Sequence, residues 1–251
     1  MTHPRADRPT LSSGEIHVWT ARLVDGHRAT TDLLQILDRE ERARAARFSL
    51  ERDRERFIQA HGITRRILAD YCDVDAAALT FVRNRHGKPH LAPPTSGSNL
   101  QFSVSHSGGC CMLALRLDHA VGIDVEKVRD MPRALDVAQG YFTPAESRLL
   151  AALEGTPRRD AFLALWTLKE ATVKALGVGL ATQLDRVEFD LDPVGTPRFV
   201  AWDGDRSVAR QWSTLRLDAP PGYVAAVAGV HPIRSLTLRN CTALIEATPI
   251  F

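Results

Sequence analysis

The stretch Val121-Gly122-Ile123-Asp124-Val125-Glu126 decides how this chain is organised. Its apolar residues alternate with small or acidic ones, which predicts a strand with one face in the core. The other face carries Gly122, Asp124 and Glu126, so two carboxylates point the same way with a glycine leaving space beside them. Two such charges about 6 Å apart repel by about 3 kcal/mol at an effective dielectric of 20. A partly buried pair would need a cation, and oxygen ligands favour Mg²⁺; the alternative is a solvated strand edge.

A second charged group lies on a helix predicted from Thr156-Pro157 to Leu176. Glu170 follows Trp166 by one turn, at the border of the buried stripe, and Lys174 follows Glu170 by another turn. Partial desolvation beside an indole raises the proton affinity of a carboxylate and suits it to act as a base. The alternative is an ordinary glutamate–lysine helix pair worth about 0.2–0.5 kcal/mol.

The third motif runs from Ser103 to Gly109, with the sequence Ser-Val-Ser-His-Ser-Gly-Gly. Its alternation and its Gly-Gly turn before Cys110 predict a hairpin. The sequence contains no nucleophile elbow, so Ser105 and His106 do not indicate a hydrolase. A histidine at a strand end is placed to donate to a phosphate, and a structural histidine is the alternative.

The remaining pattern predicts an α+β fold. A helix capped by Asp32 is expected from Leu33 to Phe48, and a second helix from Glu51. Helices are clustered and strands come in meander-like runs, which fits α+β better than alternating βαβ units. We expect a flexible leader over residues 1–14, an N-terminal α+β subdomain over 15–119 and a C-terminal one over 120–251.

Composition excludes several classes of protein. The chain has 251 residues, of which 44% are hydrophobic, and a net charge of +2, which argues against disorder and a globally cationic nucleic-acid binder. Four cysteines without metal-site spacing indicate reduced thiols in a cytoplasmic protein. There are 28 arginines and only four lysines. Codon bias explains that excess, yet a retained lysine, such as Lys88, Lys169 or Lys174, hints at a position that prefers a compact ammonium.

Taken together, the motifs resemble the 4′-phosphopantetheinyl transferases, and within them the Sfp-like (surfactin-synthetase-activating) group. The resemblance rests on four segments in the family's order and spacing: Asn84–Pro89, Phe102–Gly108, Val121–Glu126 and Trp166–Lys174. It covers roughly residues 40–230. It implies two similar α+β halves related by a pseudo-twofold axis, with coenzyme A in the cleft between them. The form of the last motif resembles the branch that serves peptide and polyketide synthases.

The resemblance also implies a reaction and the residues that perform it. Asp124, Glu126 and Glu170 would hold Mg²⁺, or alternatively Mn²⁺, against the diphosphate of coenzyme A. Glu170 would take the proton from a serine of an apo carrier protein. That serine would attack the β-phosphorus, and 3′,5′-ADP would leave. Lys174 would offset charge on the diphosphate, so Glu170, Lys174 and Asp124 are the expected catalytic residues.

Further contacts to coenzyme A follow from the same resemblance. His106 and Ser105 would contact the nucleotide phosphates, and Lys88 the adenine end. The family's basic residues for the 3′-phosphate correspond to Arg44, Arg47 and Arg56. Glu41 falls near a position that is often basic in the family.

For partners, the resemblance implies that an apo acyl or peptidyl carrier protein docks near Lys127–Phe142, with an apolar contact suited to an acidic carrier. We expect a cytoplasmic monomer that binds neither nucleic acid nor membrane. Two rival hypotheses remain at this stage. One is a Mg²⁺-dependent nuclease or phosphohydrolase built on the same carboxylates. The other is an arginine-lined RNA-binding module, whose affinity would fall steeply with salt.

Overall fold

The structure, a computed structural model, describes residues 9–25, 27–93, 99–179, 184–190 and 197–243, with only the backbone of residues 27–29. The strands are β1 (Glu15–Arg22), β2 (Phe81–Arg83), β3 (Pro89–Leu91), β4 (Leu100–Ser107), β5 (Cys110–Leu117), β6 (Val121–Lys127), β7 (Val187–Asp190), β8 (Arg198–Trp202), β9 (Trp212–Leu217), β10 (Tyr223–Val230) and β11 (Ser235–Asn240). The helices are α1 (His27–Ile36), α2 (Arg39–Ala45), α3 (Glu51–Cys72), α4 (Ala134–Tyr141), α5 (Pro144–Ala151), α6 (Gly155–Leu176) and α7 (Arg206–Ala209). Short 3₁₀ turns lie at Ala76–Ala78 and Leu184–Arg186.

The same order of elements occurs twice along the chain. In the first half (β1 to β5), a strand precedes three helices, a short hairpin and a long hairpin, and β6 to β10 repeat that order around α4, α5 and α6. β1 pairs antiparallel with β5 in a sheet of order β11-β1-β5-β4, and β6 pairs antiparallel with β10 in a sheet of order β6-β10-β9. The third helices, α3 and α6, each have 22 residues. The predicted α+β class is confirmed.

The two halves meet through a shared apolar layer. Val121, Ile123 and Val125 are at most 1% exposed and pack in one cluster with Ile16 and Val18 of β1. The predicted apolar face of β6 is therefore buried between the sheets. Two further clusters lie under α3 in the first half and around α6 in the second.

The C-terminal segment crosses back to the first half. β11 pairs parallel with β1, from Glu15 opposite Ser235 to Thr20 opposite Asn240. Arg116 holds this crossing by donating to the carbonyls of Val230 and Pro232. The subdomain boundary near residue 120 remains a prediction, since the last described strand belongs to the sheet of the first half.

Two local expectations need correction. The single helix predicted from Leu33 to Phe48 is divided into α1 and α2. The division occurs because Asp38, not Asp32, caps a helix, through a capping box with Glu41. Of the predicted leader, residues 1–8 lie outside the described residues. Leu11 packs in the first core, so this part of the leader is not free.

Other helix signals behave as their sequence indicates. Thr143 and Glu146 form a capping box at the start of α5, and Gly177 ends α6 in the left-handed conformation. Among the described residues, no helix combines the length and the apolar character needed to cross a membrane.

Candidate active site

Helix α6 lies directly against β6, and Gly122 makes this approach possible. A Cβ atom at Gly122 would lie 2.0 Å from the carbonyl oxygen of Ala171 and 2.5 Å from the amide nitrogen of Ala175. The space beside the carboxylates that the sequence suggested is thus filled by helix backbone, because α6 occupies it. This close packing brings the second charged motif onto the first.

Asp124 is the best-connected carboxylate of the site and is only 3% exposed. Its Oδ1 accepts from Lys174 Nζ at 2.6 Å and from the Ser105 hydroxyl at 2.7 Å. Lys174 also donates to Ser105 Oγ at 3.1 Å, which closes a triangle between β4, β6 and α6. The other oxygen, Oδ2, is buried and has no hydrogen-bond partner. An unpartnered buried carboxylate oxygen is costly unless a ligand completes it.

Glu126 lies on the same face of β6, as the alternation predicted. Its Oε2 accepts from Ser107 Oγ at 2.7 Å. Burial raises the pKa of Glu126; the bond from Ser107 opposes that shift, and the negative charge of Asp124 adds to it. Asp124 and Glu126 therefore interact as like charges.

Glu170 faces this acidic pair from α6 and is 8% exposed. Burial is the main cause that raises its pKa, to about 7. Lys174 lowers the pKa, while Asp124 and Glu126 raise it. The predicted effect of desolvation on this carboxyl is borne out, and its raised affinity for protons suits it to exchange a proton.

The donor set suits a divalent cation. Three carboxylates that repel one another lie near the ammonium of Lys174, Glu126 also lies near the charge of Arg129, and one buried oxygen of Asp124 lacks a partner. Oxygen donors are those that Mg²⁺ prefers. In the part of the chain that the structure describes, no three His, Cys, Asp or Glu side chains are already drawn together as a metal-binding group. The ligand set Asp124, Glu126 and Glu170 therefore stays a prediction.

A cleft of about 410 Å³ opens beside these groups, between α2, α3 and β4. Arg44, His106 and Lys174 line it. The side chain of His106 is exposed toward the cleft. Desolvation by the surrounding protein is the main cause that lowers its pKa, to about 4, and the positive charges of His61, Lys174 and Arg44 add to this shift. The positive charges among these causes, which belong to groups that line the cleft, favour an anion there.

A second cleft of about 340 Å³ shares Lys174 with the first and is lined by Lys88. Burial lowers the pKa of Lys88 to about 8, and its Nζ donates to the carbonyl of Val121 at 3.1 Å. The loop that carries Lys88 is attached to the end of α6, because Asn84 Nδ2 donates to Gly177 O at 2.9 Å. Lys88 thus lies near the catalytic candidates, as expected for a ligand that spans both clefts.

The structure also describes three further residues that the resemblance assigned to coenzyme A, and their contacts with it stay predictions. Arg47 is exposed and lines neither cleft. Arg56 also lies outside both and pairs with Asp25 at 3.4 Å. Ser105 lines the first cleft beside His106, and its hydroxyl also bonds to Asp124 and Lys174.

His61 is a cleft residue that sequence reasoning missed. In the sequence, His61 falls in the apolar repeat of the helix predicted from Glu51, and that position does not indicate a function. Its ring stacks on Phe57, with centroids 4.0 Å apart, and its Nδ1 lies 2.8 Å from Glu41 Oε1. The contact with Glu41 is what distinguishes His61. It joins α3 to α2, so the sequence alone does not display it.

Glu41 has a structural reason to be acidic at a position that is often basic in the resembling family. Its second oxygen accepts from the buried Arg65 at 2.6 Å, and Asp38 binds the same guanidinium. Burial by itself raises the pKa of Glu41, but the bonds and charges of His61 and Arg65 outweigh it and lower the pKa to about 2. Glu41 therefore stays ionised and balances Arg65.

The segment Lys127–Phe142, expected to receive a carrier protein, contains α4 and lies at the end of β6. Tyr141 is 41% exposed, while Met131 and Leu135 are partly buried against the second core. Its role in docking remains a prediction.

Comparison with known proteins gives two family matches. Residues 120–228 match the 4′-phosphopantetheinyl transferase superfamily, and residues 26–117 match the 4′-phosphopantetheinyl transferase N-terminal family. The 4′-phosphopantetheinyl transferase HetI of a Nostoc species is 34% identical over 225 residues, which is 90% of this chain and 92% of that protein. A phosphopantetheinyl transferase of Thraustochytrium is 30% identical, over 81% of this chain and 75% of that protein. A 4′-phosphopantetheinyl transferase of Bacillus subtilis is 29% identical, over 80% and 85%.

Proposed function

The chain belongs to the 4′-phosphopantetheinyl transferase superfamily, and on that premise we propose which residues carry its reaction. The enzyme transfers 4′-phosphopantetheine from coenzyme A to a serine hydroxyl of an apo carrier protein, and 3′,5′-ADP is the other product. We assign it to the Sfp-like group. The proposal for its pathway is nonribosomal peptide or polyketide biosynthesis in the cytoplasm, with the enzyme acting as a monomer.

In this proposal Asp124, Glu126 and Glu170 hold Mg²⁺. The unpartnered Oδ2 of Asp124 and the excess of negative charge over Lys174 support it. When bound, the ion neutralises charge on the diphosphate of coenzyme A.

Glu170 is the general base. Its pKa of about 7 gives it an affinity for protons that a solvated glutamate lacks. It accepts the proton from the carrier serine as the serine oxygen bonds to the β-phosphorus. The bond between that phosphorus and the bridging oxygen breaks, and the electron pair leaves with 3′,5′-ADP.

Lys174 stabilises the charge that develops on the diphosphate. Its ammonium is held by Asp124 and Ser105 and lines both clefts, so it is oriented before substrate arrives. Preorganised charge of this kind supplies much of the rate in phosphoryl-type transfer.

The nucleotide end of coenzyme A occupies the two clefts. We place the adenine end near Lys88 and the phosphates near Arg44 and His106, with His61 as an additional contact. Arg47 and Arg56 are left out because, among the described residues, neither lines these two clefts.

One observation carries the assignment of roles: Lys174 joins Asp124 of β6 to Ser105 of β4, facing Glu170. The test uses purified protein, coenzyme A, Mg²⁺ and a panel of apo carrier proteins, with intact mass as the readout. We expect the mass of one phosphopantetheine on each accepted carrier, and no transfer without a divalent ion. Transfer that persists in excess chelator would contradict the proposed metal site.

A further inference from the structure

Three alternate serines of β4, here called the serine row (Ser103, Ser105 and Ser107), all face β6. β4 and β6 belong to different sheets, so hydroxyl groups take the place of a backbone ladder between them. Ser103 Oγ accepts from the amide of Ile123 at 3.1 Å, and Ser105 binds Asp124 as described. The serine row thus bonds the strand that carries the carboxylates, with Ser103 at the backbone and Ser105 and Ser107 at a carboxylate.

Ser107 makes two bonds with this strand. Its hydroxyl donates to Glu126 Oε2 at 2.7 Å and accepts from the amide of Lys127 at 3.1 Å. The carboxylate is therefore tied to the backbone of its own strand through one side chain. Because the bond uses one carboxylate oxygen, it restricts the plane of the carboxylate without occupying both oxygens.

The position of Ser107 is itself restrained. It precedes the turn at Gly108, where φ is +55° and a Cβ atom would come within 2.9 Å of the Lys127 side chain. The amide of Gly109 donates to the hydroxyl of Tyr223 on β10 at 3.0 Å. The end of the hairpin is therefore attached to both β6 and β10 of the second half.

We propose that Ser107 is a positioning residue for the reaction: its hydroxyl orients the Glu126 carboxylate toward the divalent cation. This inference rests on the proposed function, in which Glu126 is a metal ligand. Ser103 provides a matched comparison, since it lies on the same face of the same strand and its hydroxyl bonds to the backbone amide of Ile123. A ligand held by a neighbouring hydrogen bond keeps a higher affinity for the metal, since less reorganisation is needed on binding.

The experiment titrates Mn²⁺ into the full chain with coenzyme A and without carrier, and follows free Mn²⁺ by electron paramagnetic resonance. Ser107→Ala is expected to raise the dissociation constant by about tenfold. Ser107→Thr, which keeps the hydroxyl, and Ser103→Ala should both stay within about twofold of the wild type. Thermal melts verify that every variant is folded.

Each result decides the inference. Wild-type affinity in Ser107→Ala would overturn it, and so would equal weakening in Ser107→Thr or in Ser103→Ala, because the hydroxyl at Ser107 would then not be the cause. If the wild type itself binds no Mn²⁺, the metal assignment fails together with this inference. Transfer measured on the same wild-type sample then tells whether the enzyme activity stands without it.

Discussion

Helix α6 carries Lys169 and Lys174 five residues apart, and each lysine meets a carboxylate. Lys169 is 0% exposed; it pairs with Glu146 at 2.7 Å and also donates to the carbonyls of Leu184 and Val187. All three donors of the Lys169 ammonium are therefore used. Glu146 in turn accepts hydrogen bonds from the backbone amides of Thr143 and Phe189. Lys174 instead meets Asp124, whose second oxygen is left without a partner.

The difference separates a structural ion pair from a functional one. A buried pair whose donors and acceptors are all satisfied connects α5, α6 and β7, and it offers nothing to a ligand. A pair whose carboxylate has an unpartnered oxygen, close to other carboxylates, is stabilised when a cation binds that oxygen. The scarcity of lysine in the sequence flagged both positions, but only the satisfaction of their hydrogen bonds distinguishes them.

The largest expected effect is on Asp124→Ala. Removing this carboxylate removes both the unpartnered oxygen and the anchor of Lys174, so kcat/KM should fall about a thousandfold. Repulsion with Glu126 and Glu170 is relieved, so the melting temperature should stay close to that of the wild type. Transfer rates by intact mass and a thermal melt measure the two, with Asp160→Ala on the exposed face of α6 as the control. Wild-type turnover would remove Asp124 from the mechanism.

The ion pair of Lys169 and Glu146 should respond in the opposite way, with a loss of stability when one partner is removed. Glu146→Ala leaves Lys169 buried without its counter-ion, and the free energy of unfolding should fall by about 3–5 kcal/mol. Burial already lowers the pKa of Lys169, so the ammonium loses its main support when Glu146 is removed. Urea denaturation measures the loss. Replacing both partners, as Glu146→Leu with Lys169→Met, should recover much of it; an unchanged midpoint in the single variant would contradict the structural role.

Lys174→Arg sharpens the comparison at the second lysine. The planar guanidinium has a different reach from an ammonium that meets Asp124 and Ser105 together, so kcat should fall about a hundredfold. Lys169→Arg is the matched variant, and it should lower thermal stability while folded molecules keep their kcat. If Lys174→Arg turns over normally, the ammonium is not required at this position.

The pH profile tests Glu170 as the base. Only the ionised carboxyl accepts a proton, so kcat/KM should be flat above the pKa of about 7 and fall about tenfold per pH unit below it. Raising the Mg²⁺ concentration should move this limb to lower pH, because a nearby cation favours the charged carboxylate. An acidic limb that is absent, or that does not move with Mg²⁺ concentration, would speak against this role.

The smallest expected effect concerns His61, which Glu41 holds in the first cleft. His61→Ala should weaken the binding of coenzyme A about fivefold, the loss of one partly exposed bond to a phosphate. Calorimetry with dephospho-coenzyme A, which lacks the 3′-phosphate, shows which phosphate His61 contacts. If His61→Ala and the wild type bind this ligand equally well, His61 contacts the 3′-phosphate. His119→Ala, in the turn before β6, serves as the control. Equal losses for both ligands would exclude a 3′-phosphate contact.

Local periodicity was enough for several parts of the fold. The two-residue alternation of β6 placed Asp124 and Glu126 on one face, and the helical repeat placed Glu170 and Lys174 one turn apart. The capping box at Thr143 marked the start of α5. Such features depend on neighbours within about four residues, which the sequence displays directly.

Cap selection in the first half was less predictable, because two aspartates compete. Asp32 and Asp38 both suit a helix start, and the capping box of Asp38 with Glu41 also binds Arg65 from α3. That extra partner is distant in sequence. The contact between His61 and Glu41 is also distant in sequence, so the position of His61 on α3 indicated only a buried stripe.

The sequence by itself determined the family, the α+β class and which acidic and basic side chains share a face, since these follow from motif order and short-range repeats. Only the tertiary structure decided that Gly122 admits the backbone of α6, that Lys174 binds Asp124 while Lys169 binds Glu146, and that Arg56 turns to Asp25. It also placed β11 beside β1 and the serine row against β6. These contacts join residues far apart in the chain, so their geometry depends on how whole elements pack and not on any local pattern.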